Sequence, residues 1–174
     1  HPLWSRGLGD VYKRQLYEGG LKIPFLVRWP GVVAANTVRD LVFYQPDIMA
    51  TIADLTNSKA PEDTDGISIA PTLLGADGSQ ELHEMMYWEY GNQTAVRYGK
   101  WKAIQPGKPK GSKLNQPWEL YDISSDRSEQ HDLSQEQANR TKSMAEAWDA
   151  YAARAQVISW EKIRPKKKSN AKKK

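Results

Sequence analysis

The 174-residue sequence contains no cysteine. It therefore offers no disulfide, no thiolate metal ligand and no cysteine nucleophile, while the compartment stays open because many secreted bacterial proteins also lack disulfides. No stretch approaches the roughly 18–20 apolar residues that a membrane-spanning helix needs. The sequence opens on His1 and its first methionine is Met49, so we expect it to begin inside a longer protein.

Basic charge is concentrated at one end of the sequence. Residues 161–174 hold eight Lys and Arg and one Glu, a net of +7, whereas the other 160 residues hold 17 basic and 20 acidic side chains, a net of −3. A segment of this composition cannot bury apolar surface, so we expect a disordered basic tail over 161–174. Such a tail binds polyanions only weakly and non-specifically. We therefore expect no specific nucleic-acid partner.

The first half of the sequence has the pattern of the C-terminal end of an α/β domain, which we place at residues 16–80. Residues 1–15 show neither a helical nor a strand period, and we expect them to be a non-native or irregular segment. The apolar run Phe25–Val27 lies between two prolines, as is typical of a buried strand. Residues Leu41–Tyr44 predict a second strand.

Two helical segments are expected in the same region. Pro46 and Asp47 suit the first turn of a helix. Its apolar face is predicted from residues at spacings of four and three, namely Ile48, Ile52 and Leu55. A further turn of helix is expected around residues 71–74, ended by Gly75.

Residues 81–160 predict a small α+β subdomain, an antiparallel sheet of three or four strands with one long helix. The strand candidates are rich in Tyr, Trp and Val; they are HEMMYWEY, TAVRYGKWKAI and PWELYDIS. Gly91 and Asn92 are expected to join the first two as a hairpin. The helix is predicted to begin at Ser134, with Gln137 completing a capping box. Its sheet-facing residues are predicted to be Ala138, Thr141, Ala145, Trp148, Ala152 and Ala155.

Four motifs, in this order, resemble the C-terminal portion of the formylglycine-dependent sulfatases, arylsulfatase-like members of the alkaline-phosphatase-like superfamily. They are LYEGGLKIPFLVRWPG, YQPDIMATIADLTNSKAPEDTDGISIAPTLLG, TAVRYGKWKAI and WELYDISSDRSEQHDLS. Each motif alone is modest, but together they cover roughly residues 16–155. The resemblance implies an α/β fold, in which the end of an alkaline-phosphatase-like domain is followed by the small α+β subdomain.

The resemblance also implies a chemistry that this sequence does not complete. The family makes formylglycine from the Cys or Ser of Cys/Ser-x-Pro-x-Arg, and neither form of that motif occurs here. Formylglycine and Ca²⁺ are therefore expected in the intact parent and not in this fragment, which alone would be inactive. The implied substrate is a sulfated small molecule or carbohydrate, the implied partner is the N-terminal catalytic region of the same chain, and the implied location is periplasmic or extracellular.

The resemblance implies a catalytic role for one residue of this sequence. The family places a sulfate-binding Lys four residues before the Tyr of Tyr-Glu-Gly-Gly, which is Lys13 here. A Lys ammonium suits a sulfate oxygen as a point charge. Glu18, beside two glycines, is expected to fix the corner by hydrogen bonds instead of acting as a catalytic acid.

Four further residues are candidates for substrate binding. His83, Trp88 and Glu89 are placed to meet a sugar, since aromatic faces and carboxylates are what sugar sites use. Arg97 has two interpretations, as a ligand of an acidic substrate group or as a partner of Glu89 across the hairpin. For Trp88 a place in the core is the favoured interpretation.

Two other functions stay open from the sequence. The chain could be a non-catalytic carbohydrate- or polyanion-binding module that uses Trp88, Trp101, Trp118 and the basic tail. It could also be a fragment of a related phosphodiester or phosphonate hydrolase with the same α/β core. The Tyr-Glu-Gly-Gly corner followed by Trp-Pro-Gly favours the sulfatase.

Overall fold

A computed structural model describes residues 15–108, 114–158 and 160–163, with the side chains of 160 and 161 left out. These residues form two compact units. One is Pro24–Glu84, and the other combines the described residues up to Ile23 with those from Met85 onwards. The predicted division near residue 80 is thus close to an observed boundary, but residues 16–23 belong to the unit that contains the sheet. Lys13 and the basic tail lie outside the described residues.

The sheet has four antiparallel strands in sequence order. They are β1 Met85–Tyr90, β2 Gln93–Tyr98, β3 Trp101–Gln105 and β4 Glu119–Asp122. The hairpin at Gly91 is confirmed, since Tyr90 pairs with Gln93. The segment TAVRYGKWKAI forms two strands and not one, because Gly99 has a φ of +55° that turns the chain back.

Both faces of this sheet are covered, which fits the alternation of side chains along each strand. One face buries Ala95, Ile104 and Tyr121 beneath Leu16, and the short helix α1 (Glu18–Leu21) lies on this side. The other face buries Val96, Ala103 and Leu120 against the long helix. The antiparallel sheet with its long helix confirms the predicted α+β subdomain.

The long helix α4 spans Ala138–Arg154 and is followed by the short α5, Trp160–Ile163. Its N-cap is Gln137, so the predicted capping box at Ser134 is wrong. Ser134 Oγ instead donates to Asp132 Oδ2 at 3.0 Å, in the turn before the helix. Met144 and Trp148 are the buried residues of α4. Of the predicted face, Ala138 and Ala155 are exposed, because they lie at the two ends of the helix beyond the sheet.

The Pro24–Glu84 unit contains helix α2 (Gln45–Leu55), helix α3 (Ala70–Leu73) and a 3₁₀ turn at Asp77–Ser79. The two helical predictions are confirmed. The predicted strands at 25–27 and 41–44 are wrong, since no segment of this fully described unit is a strand. A strand needs a neighbour to satisfy its backbone groups, and this unit supplies none.

The apolar face predicted for α2 is also wrong. Ile48 and Ile52 are exposed, at 39% and 53%. The buried residues of the helix are Asp47, Ala50, Thr51 and Ala53. The hydrogen bonds of the buried Asp47 decide which side of α2 faces the rest of its unit.

Gly66 allows a close approach that no other residue would permit. A Cβ at this position would lie 2.3 Å from the carbonyl oxygen of Pro46, at the start of α2. We expect Gly66→Ala to destabilise this unit by about 1–3 kcal/mol, the usual cost of overpacking. Denaturant unfolding followed by hydrogen exchange at residues 67–69 measures the loss. Gly78→Ala is the matched control, because a Cβ there meets nothing within 4 Å, and equal stability of both variants would contradict the prediction.

Candidate functional site

The Glu-Gly-Gly corner is a single helical turn held on the sheet. Within it, Leu21 N–H donates to the carbonyl of Tyr17 at 3.1 Å and Lys22 N–H to that of Glu18 at 2.8 Å. Leu16 is buried in the sheet core, with Tyr17 and Leu21 packed against it. Residues 16–21, the start of the first motif, are therefore fixed on the sheet, although they precede it by more than sixty positions.

A buried ammonium lies beneath the corner. Lys102 on β3 has no exposed surface. Its Nζ lies 2.8 Å from Glu18 Oε1 and 2.9 Å from Glu129 Oε1. Glu129 Oε2 also accepts the backbone N–H of Glu18 at 2.6 Å. The expectation that Glu18 fixes the corner is confirmed by these contacts.

The charges of this cluster are two carboxylates, Glu18 and Glu129, around the ammonium of Lys102. Burial raises the pKa of the Glu129 carboxyl above 4.5, while the attraction of Lys102 opposes the rise. A buried carboxylate with a raised pKa is less stable in its charged form than one in water. The ammonium of Lys102 therefore offsets part of the cost of burying the Glu129 carboxylate.

A third carboxylate, that of Glu119, extends this group of contacts, which we call the anchor of the corner. Glu119 Oε2 accepts the hydroxyl of Tyr17 at 2.5 Å and that of Tyr121 at 2.8 Å. Burial, followed by the hydrogen bond to Glu119, raises the pKa of both phenols. Both tyrosines are therefore protonated donors across the physiological range.

Three of the four motifs meet at this anchor. Tyr17 and Glu18 come from the first motif, Lys102 lies in the third, and Glu119 begins the Glu-Leu-Tyr-Asp of the fourth. Their spacing along the sequence gives no sign of contact. The structure thus supplies a physical reason for the motifs to occur together.

The Pro24–Glu84 unit has its own buried polar centre at Asp47, which has no exposed surface. Its Oδ2 accepts Tyr44 N–H at 2.9 Å, and its Oδ1 accepts Ile67 N–H at 2.8 Å. The same Oδ1 lies 2.8 Å from His83 Nε2, which donates because a carboxylate only accepts. Asp47 therefore ties the start of α2 to two later segments of its unit.

The four substrate-binding candidates are divided between the two units, His83 in Pro24–Glu84 and the other three on the sheet. His83 is bound to Asp47 and lies edge-on to Tyr44, 4.9 Å between ring centroids, within Pro24–Glu84. Trp88 is partly buried and packs against the core on the corner side of the sheet. Glu89 is largely exposed on the helix side, and desolvation raises its pKa.

The predicted pairing of Arg97 with Glu89 is wrong. Arg97 lies opposite Met86, and Glu89 lies opposite Thr94, so the two side chains are on different faces of the sheet. Arg97 Nε donates instead to the carbonyl of Gly99 at 3.0 Å. Trp88 and Arg97 share one face, and as binding residues they remain predictions.

The aromatic residues of the binding-module alternative are also divided. Trp88 is on the corner side, whereas Trp101 packs with the core on the helix side. Trp101 is covered by the guanidinium of Arg140, 4.5 Å from its ring centroid, and by Lys100 Nζ at 4.8 Å. Trp118 is partly buried against the helix-side core. These three rings do not form a common stacking platform.

Asp122 at the end of β4 gives a pH-dependent signal. Lys100 Nζ lies 2.6 Å from its Oδ2, and Ser124 donates to its Oδ1, which lowers its pKa from 3.8 to about 2. Because the folded pKa is depressed, this stabilisation is present above pH 3.8 and is lost as pH falls through about 2. NMR titration of the carboxyl carbon should give a midpoint near 2, and Lys100→Met should raise it. An unchanged midpoint in that variant would assign the shift to Ser124 alone.

Comparison with known proteins identifies the family. Residues 7–152 match the family described as "N-sulphoglucosamine sulphohydrolase, C-terminal". The chain is 31% identical over 152 residues to the N-acetylgalactosamine-6-O-sulfatase of Bacteroides thetaiotaomicron, covering 82% of this chain and 29% of that protein. It is 32% identical to human arylsulfatase A, covering 73% of this chain and 29% of that protein. The chain belongs to the sulfatase family and corresponds to its C-terminal part.

Solved structures agree with this assignment. A structure from a study of glycosaminoglycan metabolism by Bacteroides thetaiotaomicron is 30% identical, with a TM-score of 0.68 over 81% of this chain and 31% of its own. A second, solved with D-glucosamine-2-N,6-O-disulfate, is 17% identical with a TM-score of 0.57 and supports the fold alone. The chain spans about a third or less of the length of these relatives.

Proposed function

We propose that the protein to which this chain belongs hydrolyses sulfate esters of carbohydrates. The observation that carries the proposal is the corner: Tyr17 and Glu18 of the first motif are bound to Lys102 and Glu119 of the third and fourth motifs. Two relatives support the substrate class, the N-acetylgalactosamine-6-O-sulfatase and an ulvan-active sulfatase of Formosa agariphila, 31% identical over 76% of this chain.

The reacting groups are proposed to lie outside this chain. Formylglycine would attack sulfur, and Ca²⁺ would hold the sulfate oxygens as charge develops. Within the described residues, no group of three or more His, Asp or Glu is placed to hold a metal ion. The His, Asp and Glu side chains of the described residues are not grouped as a cation would need, and we assign no step to calcium through them.

The role proposed for this chain is to complete the edge of the sulfate site. Lys13 precedes Tyr17 by four residues and is proposed to donate to a sulfate oxygen. Loss of one such contact to developing negative charge typically lowers kcat about 10²–10³-fold.

Exposed apolar surface supports the proposal that a further part of the polypeptide packs here. Leu26 and Val38 in the Pro24–Glu84 unit are 91% and 83% exposed, and Phe25, Val27 and Ile52 are exposed as well. Apolar side chains exposed in this number are consistent with an interaction surface. We propose that the catalytic region of the same chain covers these side chains in the intact protein.

The location is proposed to be periplasmic or extracellular, as the family resemblance implies. Among the described residues no helix is both long and apolar enough to cross a membrane. Secretion of a fusion carrying the native upstream sequence would test this proposal.

The activity is tested with the protein expressed from its full reading frame. We expect release of sulfate from 4-nitrophenyl sulfate and from 6-O-sulfated N-acetylgalactosamine, and a fall of about 10²-fold in kcat for Lys13→Ala. Lys22→Ala is the control, because this lysine is exposed. Hydrolysis of 4-nitrophenyl phosphate in place of the sulfate would favour the related phosphate-ester hydrolase, and hydrolysis of neither would overturn the enzymatic proposal.

A further inference from the structure

We propose that Arg140, at the start of α4, is the centre of a binding site for a sulfate ester group of a carbohydrate, with Trp101 and Lys100 beside it. The site lies on the helix side of the sheet, where Trp101 packs with the core. The choice of a carbohydrate sulfate as the ligand rests on the proposed function. The lack of an anionic partner at Arg140 does not, because it follows from contacts within the described residues.

The first argument is that the guanidinium of Arg140 has no acceptor in the part of the chain that the structure describes. Its Nε is buried and makes no hydrogen bond there. Glu136, four positions before it, forms no ion pair with it. A buried donor without an acceptor is costly, and proteins satisfy nearly all such groups. An anion bound to this side chain would supply acceptors for a group that carries five N–H donors in one plane.

The second argument is that the ring of Trp101 holds the guanidinium in place. Arg140 Cζ lies 4.5 Å from the centroid of this ring. The ring is itself held, because it is partly buried against the helix-side core. A guanidinium that lies over an aromatic ring keeps its planar fork of donors, which suits the oxygens of an oxyanion. The side chain of Arg140 is thus pre-organised to bind a sulfate group.

The third argument is the balance of charge around the ring of Trp101. Lys100 Nζ lies 4.8 Å from the centroid of the same ring, which brings a second cation to it. One carboxylate is also near, that of Asp122, which pairs opposite Trp101 in the sheet. Its Oδ2 lies 2.6 Å from Lys100 Nζ, so this acid is already paired. Two cations and one acid leave a net positive charge, and Arg140 carries it.

The fourth argument is the position of Arg140 within α4. It lies in the first turn of a 17-residue helix, and this turn contains no acidic residue. The N-cap, Gln137, makes no side-chain hydrogen bond to the helix. The N-terminal end of a helix carries partial positive charge, so a cation is unfavourable there and an anion is favourable. The helix end therefore adds to the attraction that Arg140 and Lys100 exert on an anion.

The test is an NMR titration of the 174-residue chain, followed at the indole Nε1–H of Trp101 and the Nε–H of Arg140. We expect 6-O-sulfated N-acetylgalactosamine to shift both signals, and N-acetylgalactosamine without sulfate to leave them unchanged. Arg140→Met, followed at Trp101, should weaken binding at least about 10-fold, the usual worth of one charge-assisted hydrogen bond. Lys142→Met is the matched control, because this lysine is an exposed cation of the same helix that pairs with Glu146.

Inorganic sulfate and inorganic phosphate are titrated in the same way, to separate a carbohydrate ligand from a free ion. Tighter binding of the sulfated sugar than of either ion would support the proposed site. Equal binding of all three would make it a general oxyanion site and overturn the carbohydrate assignment. No shift with any of them, or equal affinity in Arg140→Met and wild type, would mean that Arg140 only packs α4 on the sheet.

A second variant and a second measurement keep the proposal falsifiable if Arg140→Met or the 174-residue chain fails to fold. Arg140→Lys keeps the charge and removes the planar fork. In the protein expressed from its full reading frame, it should raise the KM for chondroitin 6-sulfate at least about 3-fold with a smaller change in kcat. An unchanged KM would overturn the site. If the wild type hydrolyses no sulfate ester while the sulfated sugar binds at Arg140, the proposed function fails and the binding site stands.

Discussion

Replacing Asp47 with Ala is expected to destabilise the Pro24–Glu84 unit by about 3 kcal/mol or more. The substitution leaves three donors without their acceptor, the N–H groups of Tyr44 and Ile67 and the Nε2–H of His83. Each partly buried donor left unpaired costs about 1–3 kcal/mol. The helix α2 would also lose the carboxylate that closes its first turn, a contribution of about 1 kcal/mol.

Hydrogen exchange resolved by residue measures this loss in its own unit. Exchange at Ile67 and Ile69 should rise strongly in Asp47→Ala, because Ile67 N–H binds Asp47 and Ile69 N–H binds Thr51 Oγ1 in the next turn of α2. Asp63→Ala is the control, since Asp63 is exposed. Protection equal to that of the control would show that Asp47 does not hold the unit together.

Truncation of Trp148 to Ala is expected to destabilise the sheet unit by about 3–5 kcal/mol, the usual range for a buried aromatic residue. Trp148 is 6% exposed and packs with Val96, Ala103 and Leu120. Its ring also lies beside Tyr151, 5.7 Å between centroids, which stacks on Tyr87. The cavity would open between α4 and the sheet.

Near-ultraviolet circular dichroism during denaturant unfolding follows this change, because the aromatic packing lies in the sheet unit. Asp149→Ala, at the adjacent exposed position of α4, should stay within about 0.5 kcal/mol of wild type. A loss below about 1 kcal/mol in Trp148→Ala would mean that the helix is held mainly by other contacts.

Local signals in the sequence predicted the helices and the hairpin correctly. Proline and an acid at the start of α2, and a Gly-Asn pair between β1 and β2, act over a few residues and need no distant partner. The periodic segment of α4 was predicted in its body but not at its start, because Asp132 captures Ser134 before the helix begins. Competition between nearby hydrogen bonds decides such boundaries.

The predictions that proved wrong share a different cause. They concern segments whose structure depends on partners that are distant in the sequence. The run at 25–27 has strand composition, but its backbone has no neighbouring strand in this unit. The exposed Ile48 and Ile52 follow from Asp47, whose buried hydrogen bonds orient α2 against the apolar pattern. Apolar periodicity therefore gave the wrong prediction in two cases. In α2 a buried polar residue determined the packing, and at residues 25–27 no neighbouring strand is present in the unit.

In the candidate site, too, local sequence predicts some residues correctly and cannot reveal others. The role of Glu18 could be predicted from the glycines beside it, since a charged residue in a tight corner is suited to fixing it. Lys102 and Glu129 could not, because nothing local distinguishes them from exposed residues. The one available signal was that Lys102 belongs to the motif TAVRYGKWKAI, next to a tryptophan and an alanine that face the other side of the sheet.

The central claim, that this chain is the C-terminal part of a sulfatase, is tested most directly by sequencing the source DNA upstream of the codon for Leu16. The account predicts an open reading frame long enough for the two thirds of a relative that this chain does not span. It should contain Cys/Ser-x-Pro-x-Arg and the Asp-Asn-Gly that the resemblance implies as ligands of the family's calcium site. The account also predicts that Lys13 is encoded in frame with both motifs. A start codon immediately upstream, with neither motif, would contradict the enzymatic account of this protein.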